Sequence, residues 1–149
     1  LLRARSRDNA RTPMQWTAGA QAGFTSGTPW LRVNPNHTAI NADAATRDPR
    51  GIYAHYRALI QLRKTQRVVQ DGDYTLLLAD HPQIFAYRRE NDEATLLVLA
   101  NFYGEMAKAP LTDTAGYQLL LGNYADSPAT LAEDVLLRPY EALVYLRRK

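Results

Sequence analysis

The chain has 149 residues, 46% of them apolar and 22% charged, with a net charge of +3 and no cysteine. That balance is globular and excludes a fibrous or disordered chain, and zero cysteine excludes disulfides and thiolate metal sites. No unbroken apolar run is longer than that from Leu96 to Ala100, which falls far short of the ~20 residues a membrane helix needs.

Basic residues are scattered, with a short run at Arg147-Arg148-Lys149 and pairs at Arg63-Lys64 and Arg88-Arg89. Nucleic-acid binders concentrate charge in a patch interleaved with aromatics, so no nucleic-acid partner is expected. Absence of cysteine agrees with a reducing compartment, and the expected location is cytoplasmic.

Residues 1 to 47 hold many turn formers and little period. Their most distinctive run is Arg7-Asp8-Asn9-Ala10-Arg11-Thr12-Pro13-Met14-Gln15-Trp16. It is too polar and too aperiodic for a core element and reads as a loop. Arg offers a rigid fork of donors, Asp accepts from hydroxyls, and an indole can cover a sugar face, so the run could grip a polyhydroxylated ligand. On chemistry alone, a surface Arg–Asp network with a packed Trp is the commoner arrangement. Trp16, Phe24 and Trp30 read more readily as anchors than as sugar platforms, because loop aromatics usually bury against a neighbouring element.

The clearest helix spans about 49–66. Asp48 suits the N-cap and Pro49 the first helical position. Ile52, Tyr56, Leu59 and Ile60 recur at helical spacing, and Arg63 and Lys64 sit where the dipole favours cations. After a turn signal at Gln70 to Asp73 the period changes. Short β-rich runs follow at 74–79, 83–90, 94–102, 117–122, 134–138 and 141–147, parted by turn residues. That spacing predicts an antiparallel sandwich, with a hairpin turning at Asn91 to Glu93.

The string SRDNARTPMQW, then AGFTSGTPW, VNPN and IN, resembles the late catalytic domain of family 13 α-glucosidases. The nearest likeness is to the oligo-1,6-glucosidase, dextran glucosidase and trehalose-6-phosphate hydrolase group. It continues through IYAHYRALIQLRK, GDY, IFAYRR, LLVLANF and LRPYEALVY, so nearly the whole chain is covered. The resemblance implies an α+β fragment. Residues 1–71 would be the end of a (β/α)8 barrel, a long βα loop plus its last helix, and residues 72–149 an all-β sandwich domain. A start without Met agrees with a piece of a longer polypeptide, whose N-terminal barrel would be the fragment's partner.

Within that resemblance Arg7 matches the loop arginine that donates hydrogen bonds to hydroxyls of the non-reducing-end glucose. Asp8, Asn9 and Arg11 would fix the loop's shape and keep that donor oriented, and Gln15 and Trp16 would anchor it. A retaining glycosidase needs two carboxylates ~5 Å apart, and no acidic residue here stands in the family's catalytic contexts. No catalytic residue is therefore expected in this chain. His37, His55 and His81 lack ligand-spaced partners, and the acids follow no calcium-loop pattern, so neither metal nor cofactor is expected.

The implied activity is retaining, exo-acting hydrolysis of short α-1,6- or α-1,4-glucosides by the full-length enzyme, with a small oligosaccharide as substrate and the fragment alone inactive. Trehalose-6-phosphate hydrolysis is the alternative. From another class, the β-unit could be a non-catalytic structural or carbohydrate-binding module, which coplanar exposed aromatics on one sheet face would favour.

Overall fold

The structure, a computed structural model, describes residues 7–149. Two compact units divide the chain, 1–57 and 58–149, and each is described by itself.

The first unit is mostly turns. Three short 3-10 turns, Arg7–Ala10, Ala20–Gly23 and Pro35–Thr38, precede helix α1, Ala42–Arg47. The turn-rich sequence before residue 48 predicts irregular chain where α1 forms. Its signal was present: Asn41 caps the helix, accepting from the Ala44 N–H at 2.8 Å, and Asp43 sits in the first turn and pairs with Arg47 at 2.7 Å.

Helix α2 runs Ile52–Thr65, shorter than the expected 49–66. Asp48 does not cap it. Its carboxylate instead accepts from the Arg50 N–H at 2.9 Å, closing a turn of its own. That turn absorbs Pro49 and Arg50, and the helix begins once the backbone is free to bond, with His55 N–H donating to Gly51 at 3.1 Å. None of its side chains is buried. The expected apolar stripe exists, but Ile52 is 81% exposed, and Tyr56 and Ile60 are also exposed.

Helix α3, Arg67–Asp71, follows and turns the chain into the sheet. Gly72 caps it, and the position admits only glycine, because a Cβ there would lie 2.6 Å from the Val68 carbonyl oxygen. Seven strands then form: β1 Asp73–Leu77, β2 Ile84–Glu90, β3 Ala94–Asn101, β4 Ala107–Pro110, β5 Gln118–Gly122, β6 Asp134–Leu137 and β7 Ala142–Arg148. One antiparallel sheet has the order β1-β2-β3-β7-β5, and β4-β6 form a two-stranded sheet. Apolar side chains from both sheets meet in one core, including Leu99, Ala109, Leu137, Leu143 and Tyr145, which makes the unit a β-sandwich.

The β2–β3 hairpin turns where expected. Asn91 Oδ1 accepts from the N–H groups of Glu93 and Ala94, both at 3.0 Å. Strand β3 is buried on both faces over most of its length, as a continuous apolar run predicts. Val68 of α3 covers part of the outer face, packing with Ala94, Leu96 and Leu146. The β6–β7 connection is a tight turn in which Tyr140 takes φ +54° after Pro139, the conformation glycine usually fills in a type II turn.

Candidate functional site

The opening loop is built from its backbone and from amide side chains. Arg7–Ala10 forms one 3-10 turn, and Arg11 N–H donates to the Asp8 carbonyl at 3.0 Å. Asp8 and Arg11 are exposed. Arg7 and Asn9 contribute backbone to the turn, and their side chains lie outside the described residues. Pro13 beyond the turn is buried.

Gln15 is the tie. Its Nε2 donates to Asn36 Oδ1 at 2.9 Å and to the Ile40 carbonyl at 2.5 Å. The Gln15 carbonyl accepts from Ala42 N–H at 2.8 Å, and the Trp16 carbonyl from Asp43 N–H at 3.0 Å. Asn41, almost wholly buried, donates to the His37 carbonyl at 2.8 Å while capping α1. Asn34 Oδ1 receives the Asn36 N–H at 3.2 Å. The separate motif islands MQW, VNPN and IN are thus one hydrogen-bonded scaffold, and the Arg7 turn is attached to it.

The anchoring expected of Gln15 is present, whereas the aromatics, expected to anchor against a scaffold outside this chain, stand open. Trp30 is 98% exposed, and Trp16 and Phe24 are about half exposed. Sequence reasoning missed Asn34, Asn36 and Asn41. Their signal was turn chemistry, an Asn-Pro-Asn run and an Asn before a small helix, which is seldom read as a scaffold.

A strained element lies beside Trp16. Gln21, Ala22 and Gly23 take φ of +49°, +56° and +68° in succession. The Ala22 carbonyl thereby accepts from both Trp16 and Thr17 N–H groups at 2.9 Å. Left-handed non-glycine residues cost about 1 kcal/mol or more each and persist where the surroundings over-determine them, often at functional loops.

Several of the described acids act as ties. Asp113 takes a fork from Arg147 at 2.6 and 2.8 Å, Lys149 holds Glu90 at 2.8 Å, and Arg67 gathers Asp71 and Glu93 at 2.6 and 2.8 Å. Every carboxyl with a resolved shift titrates below its ordinary range. The hydrogen bond from Asn91 lowers Asp71, and those from Lys149, Arg147 and Arg138 lower Glu90, Asp113 and Asp126. A glycosidase acid needs the opposite shift. Among the described residues no cluster of three His or acidic side chains is placed to hold a metal ion.

Residues 1–72 match the family described as alpha amylase, catalytic domain, and residues 84–144 the alpha-amylase SusG C-terminal domain. The oligo-1,6-glucosidase of Halalkalibacterium halodurans is 48% identical over 97% of this chain and 26% of that protein. The crystal structure of Bacillus licheniformis trehalose-6-phosphate hydrolase superposes with a TM-score of 0.85 at 41% identity, over 99% of this chain and 27% of that one. That of the trehalulose synthase from Pseudomonas mesoacidophila gives 0.81 at 39%, over 97% and 26%. The chain spans about a quarter of the length of the relatives it matches. The α+β architecture agrees: a stretch of a catalytic domain made of turns and helices, then an antiparallel sandwich.

Proposed function

Because the chain belongs to the α-amylase family of glycoside hydrolases, we propose that it is the C-terminal part of a retaining, exo-acting α-glucosidase for short α-1,6- or α-1,4-glucosides. The observation that carries this reading is the scaffold under the Arg7 turn. It joins in space the sequence islands MQW, VNPN and IN, which carry the resemblance to family 13 α-glucosidases.

In this reading the covalent chemistry belongs to carboxylates on the rest of the polypeptide, by double displacement through a glycosyl-enzyme. Arg7 supplies a forked, permanently charged donor to adjacent sugar hydroxyls, fixing the ring for attack. Asp8, Asn9 and Arg11 keep that turn in shape. The domain boundary falls near Gly72. The rest of the barrel covers the exposed face of α2, where Ile52, Tyr56 and Ile60 lie open. None of the described helices is long and apolar enough to cross a membrane, and with no cysteine in the chain we place the enzyme in the cytoplasm.

Trehalose-6-phosphate hydrolysis is the second reading, favoured by the 0.85 superposition. A carbohydrate platform on the sheet is disfavoured. Tyr74, Tyr87 and Phe85 neighbour one another on one face, but their planes are inclined by 34° and 50°, so they offer no flat surface to a sugar.

Isomaltose, maltose and trehalose-6-phosphate offered side by side to the intact enzyme test the proposal, with the 149-residue chain alone as control. Glucose release from isomaltose or maltose by the intact enzyme, and none by the chain alone, is the expected result. Release from trehalose-6-phosphate only would establish the second reading, and turnover by the pure chain would place a catalytic pair within it.

A further inference from the structure

A cavity of about 240 Å³ opens in the second unit, lined by the end of β1, by β2 and β3, and by the connection from β4 to β5. Leu97 and Leu111 belong to its apolar wall, and Arg88, Thr112, Asp113 and Tyr117 bring polar groups to it. It has room for one sugar ring.

Arg88 faces this end of the sandwich from β2, opposite Leu97 on β3. Its Nε is buried and has no hydrogen-bond partner among the described residues. The nearest carboxylate, on Glu90, stands 3.7 Å away, beyond hydrogen-bond length, and is held by Lys149. Tyr117 is 2% exposed. The Arg147 guanidinium covers its ring at 4.6 Å. Arg147 also donates one bond to each oxygen of Asp113, which leaves a lone pair on each for another donor.

A buried donor left without a partner is costly and calls for water or a ligand. Here the Arg88 Nε stands beside a carboxylate that still accepts, two hydroxyls that do both, and an aliphatic wall. An anion would meet Asp113 and Glu90 as well as Arg88. A sugar ring uses everything present: hydroxyls that accept from Arg88 and donate to Asp113, and a C–H face against the leucines. We propose that this cavity binds a single neutral pyranose, contacted by Arg88, Asp113, Thr112 and Tyr117. The choice of glucose as the probe rests on the function proposed above; the cavity's chemistry does not.

The test uses the intact protein. Crystals soaked in glucose, and a glucose titration followed by the methyl resonances of Leu97 and Leu111, report on this cavity alone. The expected result is a ring in the cavity with hydroxyls on Arg88 and Asp113, and saturable millimolar binding. Arg88→Met, which keeps the aliphatic stem, weakens that binding at least about tenfold, and Leu111→Trp, which fills the space, abolishes it. Melting curves show that each variant is folded, and either one suffices. Only water in the cavity at saturating glucose, acetate or phosphate binding there in place of glucose, or an undiminished affinity in a folded variant overturns the proposal. Binding here by a protein that cleaves no α-glucoside would sink the proposed function and leave this site standing. Cleavage without binding would do the reverse.

Discussion

Glu141 shows how much one buried side chain holds in this fold. It lies almost fully buried just before β7, and Arg138 donates to it from its backbone N–H at 2.8 Å and from its guanidinium at 2.6 and 3.1 Å. Burial is the largest influence on the carboxyl and pushes it up, but the hydrogen bonds and charge of Arg138 together outweigh it, and the net shift is downward from 4.5. The folded chain therefore binds this proton less readily than the unfolded one. The stabilisation is fully present above pH 4.5 and is lost as the pH falls through the depressed folded value. Glu141→Gln should cost about 2 kcal/mol at neutral pH, the scale of hydrogen bonds to a charged group. Thermal melts of wild type and variant should converge below that range; a gap that stays constant with pH would show that the charge is not what matters. By contrast Arg67, with Asp71, Glu93 and Asp92 around it in solvent, is screened and contributes little.

Among the elements, α1 carries more than its six residues suggest, because its cap also braces the loop scaffold. Asn41→Ala removes both the bond to Ala44 N–H and the bond to the His37 carbonyl. It should cost about 1–2 kcal/mol, read as a lowered melting temperature of the intact protein; an unchanged one would mean that the scaffold is held elsewhere. This element also shows where sequence reasoning reached its limit. Strands β2, β3 and β7 were legible because β-formers run between turn residues. Strand β4, Ala107–Pro110, was not, since Ala, Lys and Pro favour no strand and only pairing with β6 makes it one. The Asp48-Pro49 signal was real but belonged to the turn before α2, where local side-chain bonding won over helix capping.

For the molecule as a whole, the informative feature is apolar surface. Helix α2 buries none of its side chains, and Trp30 stands almost bare. A stripe at helical spacing tells which residues share a face, but not whether the surface that covers it is present. The candidate site divides in the same way. The Arg7 run was recognisable as a motif, whereas the Asn34, Asn36 and Asn41 framework beneath it emerged only when distant islands met in space.

The central claim is that the Arg7 guanidinium holds sugar hydroxyls while carboxylates elsewhere on the polypeptide do the chemistry. The most direct measurement is kcat/KM of the intact enzyme and of Arg7→Ala on an α-glucoside and on its single-deoxy analogues. The account predicts a loss of about a hundredfold for Arg7→Ala, roughly 3 kcal/mol, and little further loss when the hydroxyl that Arg7 binds is removed as well. Full additivity of the two losses for every hydroxyl, or no loss on removing Arg7, would contradict it.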